Sequence, residues 1–163
     1  MLQLITRSLP NLFTIGNLIC GVSAITLNME GLTSEAALVI FLAAFLDLFD
    51  GRIARKLKVN SEFGVELDSL ADVVSFGVAP ALIFHTITPH TIFSQLAFIL
   101  FPTLGALRLA RFSAKPTVGH FIGIPITLAG LIIAGMEVFL YTNTWITIAL
   151  AILMVSPIKV KKF

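Results

Sequence analysis

The chain has 163 residues, 57% of them hydrophobic and 12% charged, and its mean hydropathy of +0.99 is far above that of a water-soluble globule. A bilayer span takes roughly 20 apolar residues, so the length accommodates about six spans and no second, soluble domain. The expected architecture is therefore one all-α, six-helix transmembrane bundle over residues 1–163. A formal charge of only +2 argues against a nucleic-acid partner. The single cysteine, Cys20, lies in an apolar run, where it has no internal disulfide partner and serves packing.

In chain order the apolar stretches are Leu9–Asn28, Ser34–Arg55, Val65–Thr88, Thr91–Phe112, His120–Leu140 and Asn143–Ile158, the last the shortest. Between them lie turn-forming groups: Glu30-Gly31, Val59-Asn60-Ser61, Thr88-Pro89-His90, Lys115-Pro116 and Thr142-Asn143. The first stretch is too long for a cleaved leader and reads as a permanent helix. With six helices and both ends on one side, all eleven basic residues share one membrane face: Arg7, Arg52, Arg55, Lys56, Lys58, Arg108, Arg111, Lys115, Lys159, Lys161 and Lys162. The opposite face carries only Glu30, Glu35 and Glu137 near its loops. The positive-inside rule then places both termini in the cytoplasm of a multi-pass cell-membrane protein.

Six of the nine acids fall between Asp47 and Asp72. A carboxylate inside an apolar helix costs about 2.5–3.5 kcal/mol on insertion scales, so Asp47, Asp50, Asp68 and Asp72 need compensation. Asp47 and Asp50 are three apart and Asp68 and Asp72 four apart, so each pair projects from one helix face. A short loop between the helices brings the two pairs together. Oxygen-only ligands without His or Cys suit a hard cation such as Mg²⁺ or Mn²⁺, and two ions can share carboxylates. Such sites commonly serve phosphates. Gly51, Ala54 and Gly64 keep the same faces open, and Arg52 and Arg55 supply phosphate-binding forks. Three readings compete on the residues alone: solvated interfacial acids, an ion pathway in a cation transporter, and a metal-dependent phosphoryl-type transferase.

Written out, the stretch is Asp47-x2-Asp50-Gly51-x2-Ala54-Arg55-x8-Gly64-x3-Asp68-x3-Asp72. It resembles, at every fixed position, the motif of the CDP-alcohol phosphotransferases, membrane enzymes with six core helices. The resemblance implies that Asp47, Asp50 and Asp68 bind the metals and the CDP diphosphate, and that Gly51, Ala54 and Gly64 line the nucleotide site with Arg55 at its end. It implies also that Asp72 helps hold metal and acts as the base, and that the protein is a homodimer. Flanking text is similar to the phosphatidylserine synthase branch: Leu9-Pro10-Asn11-Leu12-Phe13-Thr14-Ile15-Gly16-Asn17, Leu67 to Pro80, Leu107-Arg108-Leu109-Ala110-Arg111-Phe112 and Leu153-Met154-Val155-Ser156. That branch implies CDP-diacylglycerol and L-serine as substrates. The phosphatidylglycerophosphate synthases, the alternative within the family, usually carry Pro and Lys where Ser69 and Val73 stand here. Two departures bear on the acceptor alcohol: Gly123-Ile124-Pro125-Ile126-Thr127 lacks a second proline, and Ser113 stands where Asn is common.

Serine is a zwitterion, and its carboxylate calls for a cation. Arg108 and Arg111, three apart, are the candidates for that role or for phosphate, unless they merely anchor to headgroups. Glu66 is a candidate for the ammonium group or is a plain interfacial acid. Asn11, Thr14 and Asn17, spaced three and three, either reach the diphosphate or hydrogen-bond between helices. His85, His90 and His120 lack ligand spacing and read as interfacial polar residues, and Trp145 as an interfacial anchor. Gly119-x3-Gly123 and Gly130-x3-Ala134 read as close-packing patterns on the fifth helix, within the bundle or across a dimer.

Overall fold

A computed structural model of the protein describes residues 1–59, 61–114 and 120–161. Along these, six helical rods follow one another: α1 (Leu2–Met29), α2 (Thr33–Leu57), a third rod built of α3 (Glu62–Asp72), a π-helical step (Val73–Val78) and α4 (Ala79–Ile87), then α5 (Ile92–Ala114), α6 (Ile126–Val138) and α7 (Thr144–Val155). Three stretches are long and apolar enough to cross a membrane: Ser8–Met29, Glu62–Ile87 and Ile92–Ser113. The outward faces are greasy throughout, as Leu12, Ile19, Leu38, Phe45 and Ile99 are each more than half exposed. Such a continuous apolar exterior belongs against lipid, and the chain is a membrane protein.

The inward faces follow from spacing. On α1 the buried positions Thr14, Asn17, Gly21, Ala24 and Asn28 recur at three and four residues, which makes one stripe. Facing them, α2 buries Ala36, Ala37, Ile40, Ala43, Ala44 and Asp50. Small side chains let these two helices approach closely, and dispersion contacts replace the hydrophobic driving force that lipid removes. The core continues through Phe76, Ala79, Ile83, Phe101, Ile126, Ile133, Leu150 and Met154. Cys20 is a free thiol packed against that core.

Turns fall mostly where the sequence places them. Gly31 supplies the positive φ of +84° after α1, Lys58 ends α2 in the left-handed region, and the Asn143 side chain caps α7 by accepting from the N–H of Trp145 and Ile146. The Lys115-Pro116 turn, Gly119, Asn60 and Lys162 lie outside the described residues.

Two expectations are corrected. The apolar stretches His120–Leu140 and Asn143–Ile158 yield helices of only 13 and 12 residues. Gly123 turns the chain at φ +76°, and extended Pro125 stands as the cap of α6, so the helix begins only after them. Gly123 is also a turn residue rather than a helical one; beside the helices, the three residues His120–Ile122 pair antiparallel with Lys159–Lys161 in a short ribbon. Glu137, one residue before the end of α6 and so near a loop, is fully buried, and neither carboxylate oxygen has a hydrogen-bond partner among the described residues.

The π-helical step has a local cause. Pro80 lacks an N–H for the carbonyl of Phe76 four residues back, and the rod loosens to five-residue bonding, with the N–H of Ala79 donating to the carbonyl of Val74. Gly130 of α6 lies against the relaxed turn: a Cβ there would sit 2.6 Å from the Phe76 carbonyl oxygen. Gly130-x3-Ala134 therefore packs within the bundle.

Candidate active site

The last turns of α2 and the length of α3 carry the motif. The α2 end is closed by the N–H of Lys58 donating to Arg55 (3.3 Å) and that of Val59 to Ala54 (3.1 Å). Two residues later the Ser61 hydroxyl caps α3, accepting from the N–H of Gly64 at 3.0 Å. The short connection returns the chain so that α1 packs against both α2 and α3, and Asp47 and Asp50 of α2 and Asp68 and Asp72 of α3 line one space between them. Carboxylate oxygens of Asp47, Asp68 and Asp72 all lie within 4.8 Å of one another. Asp50 and Asp72 are buried, Asp47 and Asp68 half-buried.

These four carboxylates open into one cavity of about 790 Å³, bounded by α1, α2, α3, α5 and the start of α6. The volume is in the range of small-molecule sites. The lining combines polar side chains, Arg55, Arg108, Ser69 and the acids, with apolar ones, among them Leu48, Val65, Leu109, Leu128 and Leu131. A ligand with a charged head and a greasy tail matches that mixed lining.

A model of the CDP-alcohol phosphatidyltransferase family matches residues 7–156. The chain belongs to that family. Its curated relatives include proteins named CDP-diacylglycerol–serine O-phosphatidyltransferase from Bacillus subtilis, 39% identical over 161 residues covering 95% of this chain and 90% of the relative. The relative of the same name from Methanocaldococcus jannaschii is 39% identical over 153 residues, 92% of this chain and 72% of its own length. One from Helicobacter pylori is 36% identical over 171 residues, 94% and 72%.

In this CDP-alcohol phosphatidyltransferase the residues singled out from sequence separate into three groups. Asp47, Asp50, Gly51, Ala54, Arg55, Gly64, Asp68, Asp72, Asn11 and Arg108 all line the cavity. At Gly51 a Cβ would meet nothing within 4 Å, so the absent side chain leaves cavity space; at Gly64 a Cβ would come within 3.1 Å of the Asn11 amide oxygen. Thr14 and Asn17 form a second group, buried behind the carboxylates. The Thr14 hydroxyl reaches Asp50 Oδ2 and the Pro10 carbonyl, and Asn17 Nδ2 donates to Asp72 Oδ1 at 3.3 Å. Of the two readings of this α1 stripe, the interhelical one describes Thr14 and Asn17, and Asn11 alone faces the ligand space.

Glu66 and Arg111 form the third group, exposed and off the cavity lining. The Ser113 hydroxyl donates to Glu66 Oε1 at 2.7 Å, joining α5 to α3 at the rim. Arg52 is exposed and is not part of the cavity lining, although Leu48 and Arg55 on either side of it are. At the other end of the bundle His85 and His90 stack at 4.4 Å, and Trp145 packs beside Phe93 at 5.2 Å, remote from the carboxylates.

Sequence reasoning misses Ser61, Ser69 and Thr127 on the cavity lining, and Ser75 behind it. Ser69 follows Asp68 directly, and Thr127 stands two residues after Pro125, where a helix start is signalled. Either position was readable once the acids were placed.

Proposed function

We propose that this chain is a phosphatidylserine synthase that transfers the phosphatidyl group of CDP-diacylglycerol to the hydroxyl of L-serine and releases CMP. The observation that carries the reading is the four-carboxylate cavity in a chain whose relatives across bacteria and an archaeon bear that name. In this reading the lipid's diphosphate lies at the acids and its acyl chains run out toward the apolar exterior of the bundle.

The donor set fits divalent metal. Three carboxylates crowd within 4.8 Å without His or Cys, and buried Asp68 Oδ1 meets no hydrogen-bond donor among the described residues. Asp47, Asp50, Asp68 and Asp72 would hold Mg²⁺ or Mn²⁺, two ions in our reading. Bound there, the metal supplies charge neutralisation for the diphosphate and the departing CMP. Everything else falls to side chains. Asp72 takes the proton from the serine hydroxyl as that oxygen forms a bond to the lipid-side phosphorus, while the bond from that phosphorus to the CMP oxygen breaks in line. Arg108, on the same lining, receives the serine carboxylate, and Arg55 with Asn11 holds the nucleotide end. No covalent enzyme intermediate is needed.

The same reading gives six crossings, both termini and the cavity cytoplasmic, and a homodimer. The two short rods α6 and α7 rise only about 20 Å each, and in this reading the ribbon and the Gly123–Pro125 turn extend the hairpin they form.

The test is CMP release from purified protein given CDP-diacylglycerol and one acceptor at a time: L-serine, glycerol 3-phosphate, inositol phosphate or ethanolamine. Serine alone is expected to support release. Release with glycerol 3-phosphate instead reassigns the acceptor, and cation flux in proteoliposomes without any CMP refutes the transferase reading.

A further inference from the structure

Asp72 is the last residue of α3, and the π-helical step begins at the next residue. Three residues on, the Ser75 hydroxyl donates to the backbone carbonyl of Asn17 at 2.9 Å, and the side chain of that same Asn17 donates to Asp72 Oδ1. Asn17 and Ser75 are both fully buried, and neither lines the cavity. Gly21 stands one turn after Asn17 on the same face of α1. A Cβ at Gly21 would lie 2.4 Å from Ser75 Oγ and 2.9 Å from its Cα, so only glycine lets the π-helical turn come this close. Gly130 presses the same turn from the opposite side, against Phe76.

We propose that Asn17, Ser75 and the Gly21 notch form a positioning clamp for Asp72. An ordinary α-helical continuation would rotate residue 75 by a different amount relative to residue 72. The widened turn instead aims both side chains at one residue of α1. Asn17 engages Oδ1 and thereby fixes the carboxylate plane, leaving Oδ2 as the oxygen that receives the serine proton. Ser75 in turn fixes the backbone from which the Asn17 amide projects. Neither touches substrate: both are positioning residues. The clamp rests on the reading of Asp72 as the base.

The experiment measures steady-state CMP release, with KM for both substrates, together with the apparent melting temperature of the purified protein. Ser75→Ala removes the hydroxyl without adding bulk. It is expected to lower kcat about tenfold with both KM values held within about twofold, the pattern of an interaction needed only in the transition state. Its melting temperature should stay within about 2 °C of wild type. Gly21→Ala keeps the hydroxyl but displaces it, and is expected to reproduce the kcat loss; if it does not fold, Ser75→Ala still decides. An unaltered kcat in Ser75→Ala overturns the clamp, as does a loss in which kcat, KM and melting temperature move together, since that is lost packing. Wild-type protein silent with every acceptor sinks the functional reading and the clamp with it, whereas active wild type beside an unaltered Ser75→Ala sinks the clamp alone.

Discussion

Gly130 and Gly105 offer a paired substitution whose outcomes should diverge sharply. Replacing Gly130 by Ala places a methyl group 2.6 Å from the Phe76 carbonyl oxygen, 2.8 Å from its Cβ and 2.9 Å from its Cα. Nonbonded atoms of this kind sit near 3.5 Å or beyond, so α6 would have to move off the π-helical step by roughly 1 Å. All three obstructing atoms are backbone or bonded directly to it, with no rotamer to turn. Overpacking of this type costs about 1–3 kcal/mol, and for a contact with unyielding backbone, near about 2.5 kcal/mol, the apparent melting temperature should fall by roughly 5–10 °C at about 2–4 °C per kcal/mol. Gly105→Ala meets an equally short contact, 2.6 Å, but with Cδ1 of Ile126, the tip of a side chain that can rotate away. It should shift the midpoint by no more than about 2 °C. Thermal unfolding of both variants in one detergent, followed by loss of the monodisperse gel-filtration peak, checks the pair. Equal midpoints, or a larger loss for Gly105→Ala, would refute the view that backbone contact at Phe76 sets the position of α6.

Three further substitutions follow. Asp72→Asn should leave binding of CDP-diacylglycerol within a few-fold of wild type and cut turnover by at least about a hundredfold, and near-normal CMP release would remove Asp72 from the chemistry. Arg108→Gln should raise the KM for serine by about tenfold or more with a smaller change in kcat, because a charge-assisted contact is lost, while Arg111→Gln, off the lining, should do far less; reversed effects would exchange their roles. Glu137→Met should raise the apparent melting temperature by about 2–6 °C, since it removes a buried carboxyl whose oxygens have no partner among the described residues. A destabilised Glu137→Met protein would mean that the carboxyl is satisfied.

The acids were legible because helical spacing is rigid: residues three and four apart share a face, and a connection of a few residues keeps the end of α2 and the start of α3 close enough to share one cavity. Arg108 was legible for the same reason, as an arginine at that depth needs an anionic neighbour or ligand. What Thr14 and Asn17 do was not. A hydroxyl or an amide on an inward stripe looks identical from sequence whether it meets a phosphate or another helix, and only the depth of Asp50 and Asp72 relative to α1 decides. Nor does periodicity reveal the π-helical step, since six residues are too few to display a period of their own; Pro80 was the available signal. Glu66 failed as a cavity residue because Ser113 engages it at the rim. The ribbon escaped notice because three-residue strands have no period to read, and hydropathy extends a helix through Gly123 where the backbone turns away.

The pairing of His120–Ile122 with Lys159–Lys161 ties the entry of α6 to the exit of α7. The hairpin of two rods is thus a closed loop, buckled at its base. Pro125, Ile126, Thr127 and Leu128, which follow the buckle, are part of the cavity wall. A load on the Lys159–Lys161 strand therefore does not dissipate in a loose tail: it is delivered, through two hydrogen-bonded strands, to the doorway of the carboxylate chamber.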